Sequence, residues 1–257
     1  MKRVVYGLLT VVLVSLAWFG SSLAAEGPLS LKLAKTNIKI STFYNGTTLE
    51  VTGTLPADED VVVQVSGPKK DVHLKEKGKV AGFLWMNKTD VSLENTPAVY
   101  MVYTPTGATA TQFLSPDLGV GYKALVKDIT INPESADKAF IFGEYVKLME
   151  KSGVYAINED TVKYGTPDNG TKSFTVTLAI PSKMSAGAYK VAALAMKDGA
   201  VTNRVNEDLT LELSGLPAAI SSMANGRPLL FGFMAVFIAV GAGLLVGVLF
   251  RGGGGSH

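Results

Sequence analysis

Apolar and polar positions along this chain fall into three regimes. Two uninterrupted apolar runs lie near the ends, and between them runs a long stretch that mostly alternates. Alternation with a period of two marks half-buried β-strands, because successive side chains point to opposite faces. Between residues 37 and 42, Ile38 and Ile40 share a face; between 47 and 54, Leu49 and Val51 oppose Thr48, Glu50 and Thr52. Tyr44-Asn45-Gly46 separates the two segments, and Asn-Gly is the strongest short hairpin signal, so the pattern predicts that they pair. Residues 60–66 form a β-branched run ending at Gly67-Pro68, and residues 83–87, 99–104, 173–180, 188–196 and 209–213 also read as strands. Lys197-Asp198-Gly199 supplies a second tight turn. Short strands at intervals of about ten residues predict a mainly β fold, an immunoglobulin-like antiparallel sandwich of one or two subdomains.

One segment departs from this period. Over residues 136–152, Phe142, Tyr145, Val146 and Met149 recur at helical spacing. Ser135 can cap the start, Asp137 suits the first turn, Lys147 and Lys151 suit the last, and Gly153 ends it. The expectation is one helix inserted among strands, packing its stripe on the sandwich. Residues 105–134 are rich in Gly, Thr, Pro and Ser, and read equally as a linker between two β subdomains or as a long connection inside one.

The apolar runs set the topology. Met1-Lys2-Arg3 precedes an apolar run over residues 4–19 and then Gly20-Ser21-Ser22-Leu23-Ala24-Ala25, the form of a secretory signal peptide spanning residues 1–24. The run is short for a membrane span, which favours cleavage after Ala24 over retention as an anchor. The second run, residues 228–250, carries no charge and lies between Arg227 and Arg251; its length matches a bilayer core. Together these predict an inner-membrane, single-pass protein. Residues 25–215 form an extracytoplasmic, periplasmic β domain, residues 216–227 a juxtamembrane connector, and Arg251 stays on the cytoplasmic side. Gly241, Gly243 and Gly247 crowd one part of the span, and Gly243 with Gly247 makes a G-x-x-x-G that lets a second helix approach closely. The lipid bilayer and an integral membrane protein are thus the expected partners. Residues 252–257, Gly-Gly-Gly-Gly-Ser-His, read as a linker and tag remnant.

Composition narrows the chemistry. The 257 residues include no cysteine, which removes disulfides, thiolate metal sites and thiol nucleophiles. Net charge is +2, too small and too evenly mixed for a nucleic-acid surface. The mean hydropathy of +0.26 is accounted for by the two apolar ends. Apart from His257, His73 is the sole histidine; a catalytic triad would have to use it, and no nucleophile elbow accompanies it, while a histidine-based zinc site needs more ligands than the chain offers, and no cofactor is implied. His73 lies in a charged alternating stretch with Lys69, Lys70, Lys75, Lys77 and Lys79, offset by Asp71 and Glu76. That stretch reads first as a solvated edge strand or hairpin, with lysines guarding the edge. Its alternative use is an anion or partner surface formed by Lys69, Lys70, His73 and Lys75, with Trp85 nearby. Core packing is the default expectation for the aromatics in residues 83–87 and 99–103. Carboxylates cluster at Asp58-Glu59-Asp60, Glu159-Asp160 and Glu207-Asp208, where loop solvation outweighs a calcium site because none has the EF-hand order. A carboxylate-based enzyme is the weakest reading.

Several segments in order resemble a known family. They are Ile38-Lys39-Ile40-Ser41-Thr42-Phe43-Tyr44-Asn45-Gly46, Val61-Val62-Val63 with Gly67-Pro68, Gly82-Phe83-Leu84-Trp85-Met86-Asn87, Pro97-Ala98-Val99-Tyr100, Ile180-Pro181 through Gly187-Ala188-Tyr189-Lys190-Val191, and Pro228-Leu229-Leu230-Phe231-Gly232 before the span. Together they resemble the bacterial Alph_Pro_TM family of transmembrane proteins. The lysine stretch departs from that pattern by its interspersed acids, which weakens an anion-binding reading. The resemblance implies no catalytic residues. It implies, by association with permeases resembling sulfite exporters, a non-catalytic accessory subunit of an anion exporter. Separately, Pro181 followed by Gly187, Tyr189 and Val191 is similar to the last hairpin of many immunoglobulin-like domains.

Overall fold

The computed structural model describes residues 29–80, 83–105, 113–133 and 137–250. The amino-terminal run and residues 251–257 lie outside the described residues, and with them the signal peptide, Arg251 and the tag remnant. The described elements are, in order, β1 (Lys32–Leu33), β2 (Asn37–Ile40), β3 (Thr47–Pro56), β4 (Asp60–Ser66), β5 (Lys69–Val80), β6 (Leu84–Pro97), β7 (Tyr100–Pro105), α1 (Tyr122–Leu125), β8 (Thr130–Asn132), α2 (Lys138–Lys151), β9 (Tyr155–Tyr164), β10 (Thr171–Ile180), β11 (Gly187–Lys197), β12 (Ala200–Leu213), α3 (Leu216–Gly226) and α4 (Pro228–Phe250).

The fold is mainly β. Nine strands form one mixed sheet in the order β1-β3-β10-β9-β7-β4-β11-β12-β2, and β5, β6 and β8 form a second, three-stranded sheet. The large sheet curls over at β9. Tyr155 to Asn158 of that strand pair with β7, whereas Lys163 and Tyr164 pair with β10. Between the two stretches the register against β7 shifts: Val162 still lies opposite Pro105, and Asp160 adopts φ 56°. Leu49, Val51, Phe174, Val176 and Leu178 from one half and Val61, Val63, Val65, Val191 and Ala193 from the other belong to a single buried cluster. Across it, the Ala179 N–H of β10 donates to the Tyr103 hydroxyl of β7 at 3.0 Å.

A third layer covers the outside of β4, β7 and β11. All six residues of β7 are buried, as are Val61, Val62 and Val63 of β4 and Val191 to Met196 of β11. Continuous apolar runs of this kind mark strands covered on both faces. Ile141, Phe142, Tyr145 and Val146 of α2 join the same cluster, as do Phe113, Val120, Leu125 and Ile131 from residues 113–133. That segment of the Gly- and Thr-rich connection therefore packs into the core.

Three sequence expectations change. First, the Asn45-Gly46 hairpin does not form. β3 pairs with β1 and β10, while β2 runs parallel to β12, with Ile38 opposite Leu211 and Ile40 opposite Leu213. The open edge of β12 supplies the ladder partners that the hairpin would have supplied. The turn residues instead carry the chain across the curl, with Gly46 at φ +96° and an added Cβ only 3.1 Å from the Ile180 carbonyl. Second, two strand pairs are parallel, β2 with β12 and β7 with β9, so the sheet is not wholly antiparallel. Third, the juxtamembrane connector is helical, as α3, with Pro217 in its first turn, where a missing N–H costs nothing.

Other expectations hold with refinements. The inserted helix is α2, and its cap is Asp137, whose Oδ1 accepts from the Phe140 N–H at 3.0 Å. Ser135, the expected cap, lies outside the described residues. Gly153, at φ +73°, ends the helix. Asp198 and Gly199 adopt φ 51° and 76° in the turn between β11 and β12, where both central residues need positive φ.

Candidate functional site

Two features stand outside the packed core: helix α4 and a projecting β-ribbon. Helix α4 follows the β domain after α3. It has 23 residues, a mean hydropathy of 2.6 in its most apolar window, and no part of that window is buried. Phe233, Phe237 and Leu244 expose two-thirds or more of their surface, an arrangement that water does not tolerate over this length and lipid does. Among the described residues it is the one helix long and apolar enough to cross a membrane. A Cβ added at Gly241, Gly243 or Gly247 meets nothing within 4 Å. The three glycines that sequence spacing singled out thus have no neighbour among the described residues.

The ribbon grows out of the large sheet. β4 and β7 are paired up to Ser66 opposite Tyr100. The Gly67 N–H then donates to the Val99 carbonyl and the Ala98 N–H to the Pro68 carbonyl, both at 2.9 Å. These bonds carry the pairing on into β5 and β6, which run from Lys69 opposite Pro97 to Val80 opposite Leu84. Val72, Leu74, Val91 and Leu93 at the base pack with Ile131 of β8. The lysine-rich stretch is therefore one strand of a hairpin, as its alternation predicts.

The predicted anion surface is spread along this ribbon. Lys69 and Lys70 sit exposed at its base, opposite Pro97 and Thr96. His73 and Lys75 lie further out and line one shallow groove of about 570 Å³ with Ser92, Asn132 and Pro133. Lys75 is paired there with Asp90 at 3.3 Å, both well exposed. Trp85 is opposite Lys79 near the tip, and its side chain lies outside the described residues. Six rungs separate His73 from Lys79, about 20 Å of strand. Of the five residues, the fold brings His73 and Lys75 together and leaves the rest apart.

The tip departs from expectation as well. Phe83, Leu84 and Met86 are 78%, 50% and 49% exposed, whereas the core was the default place for aromatics of that segment. For Tyr100 and Tyr103 the default holds, since both are buried.

Two polar constellations were not legible in the sequence. One is a group of four tyrosines beneath α2. Tyr155 of β9 lies within 6.1 Å of Tyr100 and Tyr122, ring centre to ring centre, and 5.8 Å from Tyr145, which meets it edge-on. The Tyr100 hydroxyl accepts from the Gly121 N–H at 2.8 Å, Tyr122 donates to Glu150 Oε1 at 2.9 Å, and Tyr155 donates to the Pro97 carbonyl at 2.7 Å. Burial raises the pKa of all four, that of Tyr100 to about 12. Tyr100, Tyr122 and Tyr155 thus act as structural donors and acceptors, whereas the Tyr145 hydroxyl is buried without a hydrogen-bond partner among the described residues. Their positions span 55 residues of chain with no common motif, so no local signal announces them.

The other constellation surrounds the turn between β3 and β4. Asp58 is hydrogen-bonded to Lys197, which lowers its pKa. Asp60 accepts from the Tyr164 hydroxyl at 3.1 Å and lies 3.7 Å from the Lys172 ammonium. The acids read from sequence as solvated thus clamp this turn to β10 and to the β11–β12 turn. Among the described residues no group of three or more His, Cys, Asp or Glu side chains is placed to hold a metal ion.

Comparison with known proteins adds a family. No curated protein matches the chain. Among solved structures, a family 123 glycoside hydrolase from Clostridium perfringens is similar over 73% of this chain, at 7% identity and a TM-score of 0.24. This chain spans 27% of the hydrolase's length, and a likeness that slight carries no argument. Residues 28–252 match the family described as "Putative transmembrane protein (Alph_Pro_TM)", and the chain belongs to that family.

Proposed function

We propose that this protein is a non-catalytic, membrane-tethered module. It holds a periplasmic β domain at the surface of the inner membrane and docks through α4 to an integral membrane protein, as the accessory subunit of a complex such as an anion exporter. The observation that carries the reading is α4 itself. It is an apolar helix of bilayer length with none of its central window buried and with its close-approach glycines open, joined to a folded β domain through α3. The β domain is taken as an immunoglobulin-like sandwich. Support comes from β9 serving both halves of the sheet, β2 adding in parallel to β12, and Tyr189 at the head of β11 bonding back to Ser185. A fold does not by itself decide an activity, so the reading rests on what this one presents.

Purification from native membranes in mild detergent tests the docking. A permease-class protein is expected to co-elute with the wild-type chain and to be lost from Gly243→Leu, whose larger side chain blocks helix approach. A chain that elutes alone, with the variant behaving identically, overturns it. A second reading, a small-anion site at His73 and Lys75, has in its favour that both line one groove. The neutralisation of Lys75 by Asp90 argues against it. Titration calorimetry of the detergent-solubilised protein with sulfite and sulfate decides this reading, and no heat at millimolar anion ends it.

A further inference from the structure

The direction of the ribbon follows from strand register. Ser66 of β4 lies opposite Lys190 of β11, and Lys190 lies opposite Asp208 of β12; both pairs are antiparallel. β4 and β12 therefore run the same way. The ribbon leaves the sheet beyond Ser66 at the same end at which β12 runs out through Leu213 into α3 and α4. Residues 41–46 occupy that end too, because Ile40 is level with Leu213, and Phe43 there is 90% exposed. Leu216 and Ile220, one helical turn apart on α3, are 62% and 44% exposed. The end of the domain nearest the span thus displays scattered apolar side chains, and the opposite end carries the Asp58, Lys197, Asp60 and Lys172 clamp.

Beyond the last packed rung, Leu74 with Val91, the ribbon extends over residues 75–80, about 20 Å of strand. Measured from the level shared by Ser66 and Asp208, the ribbon spans at most about 46 Å to Val80, and the route through Leu213 and the eleven residues of α3 at most about 33 Å, so the ribbon is long enough to reach the level at which α4 begins. The distal rungs are amphipathic. Leu84 and Met86, in register with Val80 and Gly78, share one face, and Lys79 and Lys77 share the other. Phe83 stands at the turn. Between Lys75 and Asp90 there are four lysines and two acids, a cationic surplus next to an apolar tip. Apolar residues backed by lysines suit the interface of an anionic bilayer, where side chains such as Phe and Leu enter the acyl boundary and ammonium groups meet headgroups.

We propose that the distal β5–β6 ribbon is a membrane-contacting finger, inserting Phe83, Leu84 and Met86 into the interface of the same bilayer that α4 spans, with Lys77 and Lys79 at the headgroups. The finger gives the β domain a second point of attachment and so fixes its orientation over the membrane. The proposal rests on α4 being the span, and its test separates the two.

The chain has no cysteine, so single nitroxide labels can be placed on the full-length protein in vesicles of phosphatidylethanolamine and phosphatidylglycerol. Three positions suffice: Phe83→Cys at the tip, Leu244→Cys in α4, and Ala200→Cys at the opposite end of the domain. Depth is read from the balance of collisions with oxygen and with a water-soluble nickel complex. The expected result for Phe83→Cys is a depth of about 5–10 Å below the headgroup boundary, with position 244 in hydrocarbon and position 200 in water. A tip label in water while position 244 lies in hydrocarbon overturns the finger and leaves the anchor standing. A tip label shielded from both reagents reports a protein contact and also overturns it. Position 244 in water removes the anchor and the finger together.

Discussion

The Tyr189 hydroxyl donates to the carbonyl of Ser185, four residues upstream, at 2.7 Å. The bond ties the start of β11 to the loop that follows β10, and Tyr189 itself is 1% exposed. Tyr189→Phe keeps the ring and removes the bond, at an expected cost of about 1 kcal/mol. Denaturant unfolding of the solubilised protein measures it. An unchanged midpoint would mean that the loop is held by packing alone.

Gly53 of β3 lies opposite Phe174 of β10. A Cβ added there would sit 2.1 Å from the Ser30 carbonyl oxygen and 2.4 Å from Phe174 Cε1. Neither can yield cheaply, because the first is backbone and the second belongs to a ring buried in the core. Gly53→Ala is expected to lower stability by about 1–3 kcal/mol. Pairing it with Phe174→Leu, which trims the ring, should recover part of that loss, a non-additivity that a double-mutant cycle detects.

Alkaline pH should weaken the fold through Tyr100. Its pKa is about 12 in the folded protein, because burial disfavours the phenolate, against 10.0 for the free side chain. Below pH 10.0 both states hold the proton and the fold loses nothing. Above it the unfolded chain releases the proton first, so stability falls by about 1.4 kcal/mol per pH unit for each such tyrosine until the folded pKa is reached. Tyr122, Tyr145 and Tyr155 shift in the same direction and steepen the loss. Melting temperature against pH, followed with tyrosinate absorbance, should show absorbance rising with unfolding rather than before it.

Lys172 places its ammonium 4.2 Å from the centre of the Tyr164 ring and 3.7 Å from Asp60 Oδ1, with a side chain only 12% exposed. Burial spares the contact from most screening. Lys172→Met retains the stem and loses the charge, and is expected to cost about 1 kcal/mol. The cost should shrink in Tyr164→Leu, where the ring is gone, and equal losses in both backgrounds would assign the effect to Asp60 instead.

How far the sequence carries depends on the range of the forces involved. Local forces were legible: alternation announced β3, β10 and β11, helical spacing announced α2, Asp198-Gly199 announced its turn, and about 23 uncharged residues announced α4. β9 was missed because Glu159 and Asp160 interrupt its alternation, at the point where its register against β7 shifts. The Asn45-Gly46 hairpin failed because a turn signal only proposes a partner. The exposed edge of β12, more than 150 residues away, competes for the same backbone groups and takes them. The candidate surface divides likewise. Composition located the lysines and the glycines of the span, but register alone shows that Lys69, Lys70, His73, Lys75 and Trp85 are strung along a ribbon.

From its order of residues the chain determines that its middle is β-structured and that residues 228–250 belong in lipid, since hydrophobic periodicity and run length are properties of a segment and its solvent. Only the tertiary structure decides that four distant tyrosines meet, that Asp58 and Asp60 clamp a turn, and that the ribbon leaves the sheet at the end where the chain turns to the membrane. Those relations depend on which strand edges pair, and pairing is a competition among all the edges the chain offers at once.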